Sequence, residues 1–405
     1  MEQLLTFGQS PCPGGSAPGQ PGSQTDSDRK KSERFAAVFS WSAFERVLTT
    51  AALSVKKRPA FAVTKHYFLF VIGTLLALQG EAADKIFSQQ SAAHKARVVV
   101  ALDPRATIAF QPQPEKVRAL FNRAWLQFSG KTDPALAWQN LFATNDVIGI
   151  KVYSAPGANS GTRPSVVAAA VEGLLAAGIP SSQIIVWDKE LVDLRLAGFI
   201  ELAERYQVKV AASATTGYDE NEFYDSPLIG NLVWGDSEFG KKEIGTGRKS
   251  FVTRLVTKEI TKIISIAPLL NHNLAGTTGH LCSLALGSVD NTQRFEQGNR
   301  LATALPEIYA LPSLGDKVVL SITDALLCQY QGEQRSLLHY SSALNEIWFS
   351  NDPVALDVLA IQELDRQRLA AKVPSHKTNW EIYRNASLLE LGVSEPTAIR
   401  IEKAQ

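Results

Sequence analysis

From Arg97 onward, short apolar runs rich in β-branched residues alternate with stretches whose apolar positions recur every three to four residues. "RVVVAL" (97–102) predicts a first strand, and "EKVRALFNRAWLQFSG" (115–130) predicts a helix closed by Gly130. "DVIGIKVYS" (146–154) predicts the next strand. After the loop "APGANSGTR" a helix starts at Pro164, a residue suited to the first helical position. It carries Val167, Val171, Leu174 and Leu175 along one face and ends at Gly178. "IIVWD" (184–188) predicts a buried strand, "LVDLRLAGFIELAERY" (191–206) a helix and "VKVAA" (208–212) a strand. "KIISIA" (262–267), "KVVLSI" (317–322) and "EIWFS" (346–350) predict three more strands. This alternation predicts an α/β fold with a mostly parallel, doubly wound sheet. Residues 213–255, rich in Gly, Asp, Tyr and Asn, break the alternation and predict an inserted loop or hairpin region.

One apolar run does not fit the alternation. "HYFLFVIGTLLALQGEAA" (66–83) comes after a leader rich in Pro, Gly and Ser. Its apolar core is shorter than the roughly 20 residues a membrane span needs, and suits a secretory signal. Small residues lie just beyond it at Gly80, Ala82 and Ala83, where a peptidase would cut after Ala82. Lys56, Lys57 and Arg58 would supply the basic region if translation began at Val55 through an alternative start codon. The expected organisation is therefore an untranslated or disordered leader (1–54), a signal peptide (55–82) and an exported α/β domain of one or two lobes (83–405). A true leader with an uncleaved anchor is the alternative. Export would place the mature chain in the periplasm or outside the cell, with no stable membrane span after cleavage.

Removing the leader changes the charge. Of 41 Lys/Arg and 40 Asp/Glu, residues 1–82 hold 9 and 6, which leaves 32 basic and 34 acidic side chains. No basic field remains to attract nucleic acid. Cys282 and Cys328 remain, a number that permits one disulfide but no cysteine cluster for an iron–sulfur or structural zinc site. No GxSxG motif supports a hydrolase.

The residues at the carboxyl end of each strand are more informative. Lys151 lies near the end of one strand and Asp188 ends another. Asn271 and His272, Asp324, and then Asn351 and Asp352 come after three more. Ligands of open parallel sheets bind outside the carboxyl ends of the strands. Lys151 inside an apolar strand must reach water, pair with an acid or face a ligand. Asp188 and Asp352 are equally suited to capping the helices after them. Asp357 falls on the apolar stripe of its helix, where it needs a polar partner. In "NHNLAGTTGH" (271–280), His272 and His280 flank Asn273 and Thr278, and the small residues allow a ligand to approach the backbone. Two readings stay open. His272, His280, Asp188 and Asp352 are candidate ligands for a divalent metal; alternatively His272 acts as a general base. Asn271, Asn273 and Thr278 are candidate ligand contacts.

"VIGIKVYS", "RPSVVAAAVEGLLAAGIPSSQIIVWDK", "APLLNHNLAGTTGH", "SITDALLCQYQG" and "SNDPVALDVLA" together resemble the family known as domain of unknown function 362, over roughly residues 97–395. The resemblance implies an α/β fold with site positions at Lys151, His272, Asp324, Asp352 and Asp357. Tyr153 stands where many relatives carry Asn, and a Lys-Asn pair expected after the His is replaced near Cys282 and Ser283. Many relatives carry a ferredoxin-like cluster domain, which is not visible here, so no iron–sulfur cluster is expected. The family brings no reaction with it. The expectation is an exported protein acting on a small polar or anionic molecule, with Lys151, His272, Asp324 and Asp357 as catalytic groups. The alternative is a non-catalytic binding protein of the cell envelope.

Overall fold

The computed structural model describes residues 96–226, 248–295, 299–375 and 377–404. The expected leader, the signal peptide and the middle of the 213–255 insertion lie outside the described residues. Strand β1 (Ala96–Leu102) is followed by a small ribbon of β2 (Thr107–Ile108) and β3 (Gln111–Pro112). Helix α1 (Pro114–Ser129) starts on a Pro and stops where Gly130 adopts φ +65°, its N–H returning to the Leu126 carbonyl. In α2 (Pro134–Leu141) the Asp133 carboxylate caps the first turn by accepting from Leu136 N–H. Then come β4 (Ile148–Lys151), α3 (Pro164–Ala176) and β5 (Ile184–Asp188). The helix expected over 191–206 is two helices, α4 (Leu191–Leu196) and α5 (Phe199–Tyr206). They separate at Gly198, whose φ of +88° no helix accommodates.

Beyond them lie β6 (Lys209–Ala212), the single turn α6 (Ser213–Thr216), and an antiparallel hairpin of β7 (Tyr218–Asp225) and β8 (Lys249–Thr253) within the insertion. The remaining elements are β9 (Lys262–His272), β10 (Gly276–Thr277), α7 (His280–Ser288), α8 (Arg300–Tyr309), β11 (Val318–Gln329), β12 (Ser341–Ser350), α9 (Pro353–Ala370), α10 (Glu381–Leu388) and β13 (Ile399–Lys403).

The main sheet runs in the order β13-β1-β12-β11-β9-β4-β5-β6, with β10 folded back on the end of β9. Neighbours are parallel except around β12, which runs against both β1 and β11. The chain moves outward from β4 through β5 to β6 and then returns to the other side of β4 as β9. The order therefore reverses between β4 and β9, which makes that gap the place where a crevice is expected. Strands β9 and β11 are longer than expected. Lys151, the last residue of β4, is level with Ser265, and β9 continues seven residues further to His272.

Alternation along the strands sorts side chains onto two faces. Ile148, Ile150, Ile184, Val186, Ile264, Ile266 and Ile322 join the helices α1, α2, α3 and α5 in one apolar cluster. Trp125 and Trp138 stack in it with ring centroids 4.1 Å apart, and Phe121 meets Phe349 edge-on. The opposite face carries α7, α8, α9, α10 and the β7–β8 hairpin.

Candidate functional site

Two buried ion pairs lie at the carboxyl edge around β4: Lys151 of β4 with Asp188 of β5, and Arg163 of the loop after β4 with Asp324 of β11. Lys151 is wholly buried and gives its ammonium to Asp188 Oδ1 at 2.7 Å, to the Val152 carbonyl at 2.6 Å and to Ser283 Oγ at 3.1 Å. An ammonium has three donors, so all are used. Asp188 also accepts from the N–H and the hydroxyl of Ser154, each at 2.7 Å. It does not cap the helix after it. Helix α7 lies against this pair at Gly287, where a Cβ would come within 2.5 Å of Lys151 Cε. The glycine is what lets the lysine lie flat beneath the helix.

The second pair includes a residue that the strand-end pattern does not pick out. Arg163, at the end of the loop after β4, donates its backbone N–H to Asp324 Oδ2 at 2.8 Å, and its Nη1 lies 3.0 Å from Oδ1. Nη2 donates to the Asn159 carbonyl at 3.0 Å; Nε has no hydrogen-bond partner, and Nη1 meets Asp324 as an ion pair rather than as a hydrogen bond. Both side chains are essentially buried, at 2% and 0% exposure. Asp324 sits within β11 rather than after it, because the strand runs on past a bulge to Gln329. A signal for Arg163 is present in the sequence, since an Arg before a helix-starting Pro at a switch-point loop is placed to face the sheet edge.

Tyr153 comes two residues after Lys151. Burial, foremost, holds its pKa above the ordinary phenol value, with the charges of Cys282, Asp188 and Glu333 acting in the same direction and Gln334 against it.

The two histidines do not meet a common ligand. His272 Nδ1 accepts from the backbone N–H groups of Leu274 and Ala275 at 3.2 and 3.1 Å, fastening the β9–β10 turn. The residue expected as a general base is thus placed as a turn anchor, with Nδ1 directed at backbone N–H groups of its own turn. His280, the first residue of α7, is buried, with Nδ1 2.8 Å from Ser265 Oγ and Nε2 3.1 Å from Thr323 Oγ1. Burial lowers its pKa to about 3, so it stays neutral at physiological pH. Cys282 and Cys328 are both buried and are not joined to each other, so the permitted disulfide is not formed.

The two later carboxylates are structural. Because β12 runs antiparallel, Asn351 and Asp352 lie at the opposite edge of the sheet from Lys151, not beside it. Asp352 caps α9 by accepting from Ala355 N–H at 2.8 Å and holds the chain beyond α10 through Val393 N–H at 2.9 Å. Asp357 is buried and accepts from the first two N–H groups of α7, His280 at 2.6 Å and Leu281 at 3.0 Å. Burial raises its pKa to about 7 against the pull of those two bonds. The four candidate metal ligands are not brought together. His272, His280, Asp188 and Asp352 are bound to four separate sets of partners, and among the described residues no group of three His, Cys, Asp or Glu side chains gathers around one point.

Asn271, Asn273 and Thr278 are turn and loop anchors. The Asn271 amide donates to Asn273 Oδ1 at 3.3 Å and accepts from Glu333 N–H at 3.0 Å, and Glu333 Oε1 accepts from Asn273 N–H at 2.6 Å. Thr278 is buried, its N–H donating to the Leu270 carbonyl. A separate cavity of about 580 Å³ lies between α1, α3 and α5. Within its lining Arg118 lies 3.6 Å from Glu172 and the Tyr206 hydroxyl donates to Glu172 at 2.6 Å.

A family model described as Domain of unknown function (DUF362) matches residues 148–362. No curated protein matches the sequence. Among solved structures, a structural-genomics target from Thermotoga maritima is similar at 12% identity and a TM-score of 0.38, covering 65% of this chain and 60% of that one.

Proposed function

Because the chain belongs to the family described as domain of unknown function (DUF362), whose description carries no activity, we propose a function from the site alone. The chain binds a small anionic or polar molecule in the crevice between β4 and β9, with Arg163 and Tyr153 as the contacts. The observation that carries this reading is the two buried ion pairs that flank the switch point of the sheet, one reaching from β4 to β5 and the other from the loop after β4 to β11. Buried ion pairs are weak sources of stability, since desolvation offsets most of their attraction. Two of them at the edge where parallel sheets hold ligands argue for a use other than folding. Lys151 supports the site through Asp188 rather than holding the anion itself, since its donors are all in use.

Binding is favoured over turnover because Lys151, His272, Asp324 and Asp357 are each already satisfied by a protein partner. The reading of an exported enzyme places its chemistry on the same crevice and is separated by assay. Export itself is proposed from the apolar run at 66–83. Mass spectrometry of the native N-terminus should find Ala83 first, and Met1 peptides would sink the idea.

The binding test is a thermal-shift screen of small anions, from phosphate and sulfate to dicarboxylates and sugar phosphates, on the wild-type chain beside Arg163→Gln. A hit that stabilises only the wild type is expected, with a gain that grows with ligand concentration. Equal stabilisation of both proteins would place the ligand elsewhere.

A further inference from the structure

We propose that residues 331–336 are a lid over this crevice, which opens as a unit to admit the ligand. The inference rests on the crevice being the binding site, but its test does not need the ligand. The β11–β12 ladder closes with the Tyr330 N–H on the Tyr340 carbonyl at 2.9 Å. Beyond that point the segment is held mainly by side chains. The Gln329 amide donates to the carbonyls of Glu333 and Arg335 at 3.1 and 2.9 Å and accepts from Leu337 N–H at 3.1 Å, so one side chain shapes the whole loop. Asn271, Asn273 and Glu333 tie it to the end of β9. Ser336 Oγ lies 3.3 Å from Ser160 Oγ, joining it to the loop after β4.

The lid thus bridges the two loops that leave the switch point in opposite directions. Its turn is tight: Gly332 has φ +100° and Glu333, a residue with a Cβ, has φ +50°. Gln334 and Glu333 of the segment, and Cys282 of α7, all act electrostatically on the Tyr153 hydroxyl. Cys282 is only 5% exposed. Segments held by a few side-chain bonds above a site, rather than by a backbone ladder, are the ones that open locally.

The lid can be stapled. Ser160→Cys with Ser336→Cys replaces the 3.3 Å hydroxyl contact by a pair that an oxidant such as diamide can join. In the full chain, alkylation of Cys282 by N-ethylmaleimide is followed by peptide-resolved mass spectrometry, with Cys328, in the cluster beneath α9, as the internal reference. Cys282 is expected to react faster than Cys328 in the wild type. It should slow about tenfold when the staple is oxidised and recover when it is reduced before labelling. Gln329→Ala, which releases the loop from its other anchor, should quicken Cys282 and leave Cys328 unchanged. Unaltered Cys282 labelling in the oxidised staple would overturn the proposal. So would equal slowing of both thiols, which would mean that the reagent enters by global opening.

Discussion

The two faces of the sheet are built from the same strands by opposite chemistry. On the face of α1, α2, α3 and α5, alternate residues such as Ile150, Val186 and Ile266 meet Trp125, Trp138 and Phe121, and the cluster is apolar. On the face of α7, the intervening residues of the same strands include Lys151, Ser265 and Thr323, and they meet His280, Ser283 and, through the helix cap, Asp357. The first face gains stability with every methylene it buries. The second uses buried polar groups to hold one helix, α7, against the end of β4. Each of those groups must be satisfied or it costs stability. The contrast teaches that this α/β core is asymmetric: one side folds the chain and the other shapes its carboxyl edge.

The contrast is broken most severely at Lys151. Lys151→Met leaves Asp188 buried without its cation and should cost about 3–5 kcal/mol, read from urea unfolding. A cost below about 1 kcal/mol would mean that the pair is solvated in solution.

A smaller effect separates the faces by pH. Asp357 is held at about 7 in the folded chain against 3.8 as its ordinary value. The folded state therefore binds the extra proton between those values. Its contribution to stability is complete below about pH 4 and is lost as pH rises toward 7. Wild-type unfolding free energy should fall across that window by roughly 2–4 kcal/mol more than that of Asp357→Asn, which has no proton to lose. Parallel curves would show that the helix-terminal N–H groups of α7 keep the carboxylate ionised throughout.

The smallest effect concerns His272. An Asn side-chain oxygen can accept the same turn N–H groups as Nδ1, so His272→Asn should change stability by less than about 1 kcal/mol. Ligand binding should survive it. If a turnover assay is found and this variant abolishes it, the enzyme reading gains over binding alone.

Much of the fold is legible in the sequence. Short apolar runs rich in β-branched residues and helix punctuation at Pro164, Gly130 and Gly178 give the strands and helices nearly as observed. Lys151 can be picked out because a cation inside an apolar strand must find a partner. The direction of β12 cannot be read, because a short strand after a turn reads alike parallel or antiparallel. That one reversal moves Asp352 to the far edge. The partners of Asp357 and Asp324 are hidden for a different reason. They are backbone N–H groups of α7 and Arg163, separated from them by 77 and 161 residues, and no local pattern carries that information.

The most direct measurement is the stability of Lys151→Met combined with Asp188→Leu, determined by urea unfolding beside the wild type and followed by the anion screen. If the pair serves the crevice rather than the fold, the double variant should unfold within about 1 kcal/mol of the wild type, or be more stable, and should give no ligand response. A double variant that is several kcal/mol less stable, or one that is stable and still binds the same anion, would contradict the assignment of this edge to ligand binding.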